Sequence, residues 1–392
     1  MVLLNLLLIF LFTSFSFGEL GRIGLGNAIS TGLIDVSVLL FSLVWFLKHR
    51  KGHYALWKPI AIFATAALVS LVLNFRNYPQ NQLLVSSLYL VRWILYSSLY
   101  FVFADVGKKL NKKITKYMVL SGFVILLIGL AQFVLYPSLR NLYYMGWDEH
   151  LYRLFSSYLD PNFAGVILVL YFIFVFIKRD ELFANKALSY IILILTFLGI
   201  VLTYSRGALL MFAVSAVTYA VIIRNWKIIG LTAALFIGLF IILSPRFYLE
   251  NTNLLRTVST QERLETSGVA LRIWEKNPLG VGFDAYRYAR EKYGEKDLSL
   301  FGPSHSGAGV DNSFIFVLVT AGIEGILAYL FLLWKIFGLG FRKMKTNKWG
   351  MILVVSLSGL IINSLTINSL FYSFIMIWVW IIAGLTESSL RE

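Results

Sequence analysis

The chain has 392 residues, 58% hydrophobic and 14% charged, with a formal net charge of +15 and no cysteine. Soluble domains are nearer a quarter charged, so this composition excludes an ordinary soluble enzyme and indicates a polytopic membrane protein. Disulfides and thiolate metal sites are excluded by the missing cysteines, and the basic excess belongs to membrane orientation rather than to nucleic acid.

Residues 1–20 have the length of a signal peptide but lack a basic n-region and a small-x-small cleavage site, and read as a retained first helix. A membrane crossing needs about 20 mostly apolar residues. About twelve candidates lie near 2–18, 28–48, 57–74, 83–104, 116–136, 162–178, 187–204, 207–223, 227–244, 311–336, 349–365 and 368–386. With the N-terminus in the cytoplasm and loops alternating, the inner loops hold nineteen lysines and arginines, including the run Lys108, Lys109, Lys112, Lys113 and Lys116. The short outer loops hold five, Arg22, Arg76, Arg140, Arg153 and Arg206. This is the bias of the positive-inside rule. The expected fold is therefore all-α, about twelve transmembrane helices with both termini cytoplasmic. Residues 1–243 carry the first nine spans, 244–310 one large outer loop, and 311–392 the last three; there is no internal repeat or separate soluble domain.

That loop is too polar for a bilayer and too long for a turn, and loops of this length are usually functional or disordered. It carries Arg246, Arg256, Arg263, Arg272, Arg287 and Arg290. Gln261 to Trp274 has helical spacing of Leu264, Ala270, Leu271 and Trp274, Pro278 stops that helix, and Gly280-Val281-Gly282 reads as a tight turn. The inner charges are mostly lysine and the outer ones mostly arginine. Arginine presents a planar fork that binds phosphate bidentately, which suggests an anionic ligand outside; the alternative is that arginine snorkels well at interfaces.

Four stretches could carry chemistry. Leu202-Thr203-Tyr204-Ser205-Arg206-Gly207 places Arg206 at a tight helix junction, either lining a polar cavity or snorkelling. Glu262-Arg263, on the predicted loop helix, is followed by Trp274 and Pro278-Leu279-Gly280-Val281-Gly282; Arg263 alone could equally be a solvated charge. Asp311-Asn312 opens the tenth span, with Asp311 as the expected N-cap, and nine residues later comes Gly322-Ile323-Glu324-Gly325. Glu324, well inside the span, is an intramembrane carboxylate and by default a functional candidate. Asp160-Pro161-Asn162 precedes the sixth span as a turn and cap or as part of a site. Arg92, mid-span, could contact a carrier phosphate or pair with Asp35 or Glu324. Asp148-Glu149-His150 reads as an ordinary interfacial loop, because three consecutive residues rarely converge on one ion, and no metal is predicted.

In order and topology these stretches resemble the O-antigen ligase and polymerase superfamily of bacterial polysaccharide assembly. The resemblance is strongest over 160–330: an Asn-containing start to a middle span, Thr-x-Ser-Arg-Gly, a long periplasmic loop with Arg, Trp and Pro-Leu-Gly-Val-Gly, then a polar pair, nine residues and Gly-x-x-Gly. It implies a metal-independent inverting glycosyltransferase of the bacterial cytoplasmic membrane, without cofactor, its site facing the periplasm. The donor is a glycan on undecaprenyl pyrophosphate, and the acceptor is a hydroxyl of lipid A–core or of another glycan. Membrane lipids surround the site, and a polysaccharide chain-length regulator is a partner class for a polymerase. By this resemblance Arg206 and Arg263 stabilise the leaving phosphate, with Arg256, Arg272 and Arg287 as lesser candidates. Asn162, Asn312 and Arg92 complete the expected substrate-binding set. Ligases of this family usually have His-Asn where this chain has Asp311-Asn312, so the base is either Asp311 or His305, six residues earlier. A transporter or flippase for lipid-linked sugars is the competing class, but it predicts repeats and matching broken helices in both halves, which the sequence lacks.

Overall fold

The computed structural model describes residues 2–26, 29–48, 52–243, 252–255, 258–294, 309–342 and 344–390. The apolar stretches are helical throughout, as they must be where only intrahelical bonds can satisfy the backbone. They form α1 (Val2–Phe17), α2 (Leu33–Lys48), α3 (Trp57–Leu73), α4 (Gln80–Leu135), α5 (Pro161–Leu182), α6 (Lys186–Leu202), α7 (Arg206–Ile223) and α8 (Lys227–Leu243). The polar loop contributes α9 (Val258–Lys276) and α10 (Tyr286–Lys292), followed by α11 (Ser313–Phe341), α12 (Lys348–Asn363) and α13 (Ser373–Leu390). Among the described residues six helices are long and apolar enough to cross a membrane, and five shorter apolar helices accompany them. The chain is thus an α-helical, multi-pass membrane protein.

Two features depart from the sequence reading. The second span does not begin at residue 28: Arg22–Gly26 (β1) and Ile29–Gly32 (β2) pair as an antiparallel hairpin, and the helix starts at Leu33. The fourth and fifth spans are one continuous helix of 56 residues. No proline interrupts the lysine-rich middle, so nothing there breaks a helix. Straight, α4 would reach about 84 Å. Its first half instead packs Trp93 on Trp380 of α13, and the Lys108 amide bonds Ser388 Oγ at 2.9 Å. Its second half returns, with Ser121 meeting Ser16 of α1 at 2.8 Å and Gln132 donating to the Arg153 carbonyl at 3.3 Å. Arg92 and Arg153 line one cavity, so α4 bends between its two arms.

At the opposite end Lys178 is no solvated loop charge: it is buried, pairs with Glu181 at 3.1 Å and lies 3.9 Å over the Trp349 ring, while Lys348 closes the network on Glu181 at 3.0 Å.

The polar loop is fastened to the bundle by a backbone seam. Helix α9 ends at Lys276, and Gly280 and Gly282 take positive φ (86° and 102°), giving the turn expected after Pro278. The Val281 amide donates to the Val319 carbonyl (2.9 Å), Gly282 to Thr320 (3.1 Å), and Ile323 back to the Pro278 carbonyl (3.2 Å). Helix α11 makes room by breaking at Gly322 (φ 74°, ψ −170°), a conformation essentially limited to glycine. Polar groups at the end of α3 add to the seam: Ser70 Oγ donates to the Thr320 carbonyl at 2.7 Å, and Asn74, just past the helix, donates from Nδ2 to the Gly280 carbonyl at 2.9 Å. The sequence elements Pro-Leu-Gly-Val-Gly and Gly-x-x-Gly are therefore two sides of one contact. Glu324, on the same helix, is exposed and does not line the cavity.

Candidate active site

A cavity of about 970 Å³ opens at the end of the bundle where α5, α11 and α13 begin. The hairpin, the first half of α4, the 146–153 segment, α9 and the residues from Phe283 to Arg290 wall it in. Among the described residues its lining includes six arginines, Arg22, Arg92, Arg153, Arg263, Arg287 and Arg290, and no lysine.

Arg263 and Asp311 come together at 3.6 Å, joining α9 to the start of α11. The cap expected of Asp311 is made by its neighbour: Asn312 accepts from the Phe314 and Ile315 amides (2.9 and 3.0 Å) and donates to the Leu365 carbonyl. Asp311 is thereby left to face Arg263, and Asn312 does not line the cavity. Burial raises the Asp311 carboxyl above its ordinary range, Arg263 pulls it back, and Asp160 and Glu262 push it further up. Asp148 is raised for the same reasons, by burial first and then by Asp160, Glu262 and Asp311. Asp148, Glu149 and His150, expected to be an ordinary interfacial loop, all line the cavity instead. Among the described residues no three His, Asp or Glu side chains gather to hold an ion.

Asp160 caps α5 by accepting from the Asn162 and Phe163 amides (2.6 and 3.4 Å), with Pro161 in the first turn, so its turn-and-cap reading holds. Asn162 then accepts from Arg153 Nη2 (3.3 Å) and Ser205 Oγ (3.1 Å). Ser205 is the N-cap of α7, and Tyr204 before it takes a left-handed φ of 49°. Arg153, buried at 6% exposure, also donates from Nε to the Thr203 carbonyl at 2.8 Å. Arg153 therefore locks two of the sequence stretches together, a role that no local pattern around it signals.

Arg206 reaches across to Thr260 Oγ1 on α9 at 3.0 Å, one turn before Arg263; it holds the loop helix from outside the cavity lining. Arg272 is exposed and also outside the lining. Arg256 and His305 lie outside the described residues. Of the alternatives for Arg92, the structure has Asp35: the pair meets at 3.0 Å, and Arg92 Nη2 donates to the Ser30 carbonyl at 2.7 Å, pinning the hairpin to α4. Asp35 also accepts from the Gly32 amide (2.8 Å) and from Tyr96.

Arg287 lies in the cavity wall with Asp284, which the sequence gave no reason to single out. Asp284 has a left-handed φ of 59°. Burial pushes its carboxyl up to about 7, against the pull of Arg287 and Arg92.

The site thus joins phosphate-type arginine forks to carboxylates whose protons are held more tightly than usual, in a cleft large enough for sugars. Comparison with curated proteins gives no match. Residues 191–330, which contain Arg206, Arg263, Arg287 and Asp311, match the family model described as O-antigen ligase.

Proposed function

We propose that the protein is an O-antigen ligase-type membrane glycosyltransferase. It moves a glycan from undecaprenyl pyrophosphate to a hydroxyl of lipid A–core or a similar acceptor, on the outer face of a bacterial cytoplasmic membrane. The observation that carries this reading is the arginine-lined cavity under α9, with no lysine among its described residues, in which Arg263 of the matched stretch faces Asp311. In this reading the bundle crosses the membrane twelve times, α4 crossing twice around its lysine-rich middle. Helices α9 and α10 roof the outer mouth.

Sugar nucleotides are not found outside the cytoplasmic membrane, so the donor must bring its own leaving group, as a lipid pyrophosphate does. The acceptor hydroxyl attacks the anomeric carbon and negative charge grows on the departing phosphate oxygen. Arginine forks fixed in advance at that oxygen stabilise it without reorganisation. Arg263 has this role at the cavity wall. Arg206, outside the lining, supports it by holding the start of α9 through Thr260. Losing one such donor costs on the order of 3 kcal/mol, or about a hundred- to a thousandfold in rate. No metal enters the reaction.

Asp311, standing where ligases usually have histidine, favours a second reading with the same chemistry: a polymerase whose acceptor is another lipid-linked repeat, working with a chain-length regulator. The test is to delete the gene and complement with wild type or Arg263→Ala, comparing surface glycolipids on a gel. Bare acceptor with polymer stranded on the carrier means a ligase; acceptor capped by a single repeat means a polymerase. Full rescue by Arg263→Ala refutes both.

A further inference from the structure

We propose that Asp284 is the base that takes the proton from the attacking hydroxyl; this rests on the transferase reading above. The sequence offered Asp311 and His305 for that task, but the wall of the cavity distinguishes its acids by what each is already doing. Asp160 spends its carboxylate on the amides that open α5. Asp35 is bonded to Arg92, Tyr96 and the Gly32 amide. Glu19 pairs with Arg22 (3.5 Å), Glu149 accepts from Ser138 (3.4 Å), and Asp311 pairs with Arg263. Asp148 and Glu262 are exposed, which leaves Asp284 as the half-buried carboxylate of the lining to which, among the described residues, no group donates a hydrogen bond and no cation pairs within 4 Å. A base needs a free lone pair directed at the substrate volume, and this acid has one.

Its placement is enforced. Asp284 stands immediately before α10 but does not cap it; the N-cap residue is Ala285, without a side-chain bond. The left-handed φ of 59° turns Asp284 out of the capping position. Backbone of that kind in a residue other than glycine persists only when its surroundings hold it. Here the Ala285 amide donates to the Gly282 carbonyl (3.0 Å), and Gly282 is itself clamped to Thr320 by the seam. The same wall carries Arg263: Tyr286, two residues on, has its hydroxyl 3.5 Å from the Thr266 carbonyl, and Thr266 Oγ1 donates to the Arg263 carbonyl at 3.1 Å.

The charged and titratable groups facing Asp284 are Arg287 and Tyr288 from α10 and Arg92 and Tyr89 from α4. The two cations keep the carboxylate accessible near neutral pH, while burial makes it a far better base than a solvated aspartate, its proton affinity lifted to about 7. The step balances. The acceptor oxygen forms its bond to the anomeric carbon with inversion, and its proton passes to a carboxylate oxygen of Asp284. The bond from that carbon to the phosphate oxygen breaks, its electron pair leaving with the carrier pyrophosphate. Asp284 then releases the proton to water in the cavity.

The test uses the full-length protein in liposomes, with the lipid-linked glycan that the deletion strain accumulates as donor and that strain's acceptor glycolipid. The wild-type rate should rise about tenfold per pH unit below about 7 and level off above it. Asp284→Asn should cut kcat by about 10²–10⁴-fold, flatten the pH profile and leave KM for the donor within about twofold, while Asp284→Glu restores part of the rate. A hydrophobic carbodiimide, which modifies protonated carboxyls, should label Asp284 below pH 7 and not well above it, read by mass spectrometry without turnover. Asp284→Asn that folds, melts like the wild type and transfers glycan with the wild-type profile overturns the proposal, as does a profile flattened by Asp311→Asn or His150→Gln in its place. Failure of the wild type to transfer at all, with Asp284 still labelled in that window, overturns the transferase reading and the base with it.

Discussion

Replacing Gly322 with alanine tests the seam that holds the polar loop on the bundle. A Cβ at this position would lie 2.4 Å from the Leu279 carbonyl carbon and 2.7 Å from its oxygen, both backbone atoms that no rotamer change can move. The φ of 74° with ψ of −170° adds about 1–3 kcal/mol of strain for any residue with a side chain. If the turn lifts off to relieve the clash, three backbone bonds go, from Val281, Gly282 and Ile323, each worth roughly 1 kcal/mol net. The loss is thus on the order of 4–6 kcal/mol, enough to detach the loop. Leu279 and Ile323 are exposed on either side of the seam (51% and 45%), and the chain has no cysteine of its own, so cysteines at these two positions report the contact through a short thiol cross-linker. Cross-linking should be efficient in the otherwise wild-type protein and lost with Gly322→Ala, together with a lower melting temperature in detergent. Gly338→Ala on the same helix, where a Cβ meets nothing within 4 Å, is the control and should change neither. Cross-linking and melting of Gly322→Ala equal to the control's would refute the seam.

Arg263→Lys keeps the charge but loses the planar fork, so transfer should fall by at least tenfold; a fully active lysine variant would show that Arg263 supplies charge alone. Arg92→Met should lower stability by about 2–3 kcal/mol, less than the full value for a buried pair because both partners retain some exposure. Adding Asp35→Asn should recover part of that loss, and an unchanged melting temperature in the single variant would argue against Arg92 as the hairpin's anchor. The pH dependence of stability follows from Asp284. Its carboxyl titrates near 3.8 when unfolded and near 7 in place, so the folded protein holds the extra proton between those values. The stability this contributes is full below pH 4 and disappears as pH rises through about 7. Asp284→Asn should therefore flatten the fall in melting temperature between pH 5 and 8; a parallel fall in both proteins would place that titration elsewhere.

Hydropathy located nearly every helix because a buried backbone leaves the chain no alternative, and punctuation located the turn after Pro278 because few residues tolerate its dihedral angles. What stayed hidden needed information that is not local. The lysine run over 108–116 looked like a loop because it is polar, yet polarity does not break a helix that lacks proline. The hairpin at residues 22–32 is two short strands whose stability comes from Arg92, sixty-two residues away from Ser30 in sequence. The cap on α11 fell one residue later than expected, since Asp311 and Asn312 cap equally well by type and only the Arg263 contact separates them. Asp284 carries no motif at all; its interest lies in accepting no hydrogen bond among the described residues, which a sequence cannot display. Arg206 and Arg263 were expected to act at one point, and the structure brings both to the first two turns of α9 but only Arg263 to the cavity wall.

The cavity draws Arg263, Arg287 and Arg290 from the stretch that matches the family model, and Arg22, Arg92 and Arg153 from the chain before it. The consequence is for modular exchange. Transplanting 191–330 into a related protein would carry half of the cationic wall and leave behind Asp35, which holds Arg92, and Asn162, which holds Arg153. It would likewise strand the carbonyls that Ser70 and Asn74 cover. Substrate preference in this architecture is therefore inherited by the whole polypeptide, and a chimera keeps it only when its crossover points respect those pairs.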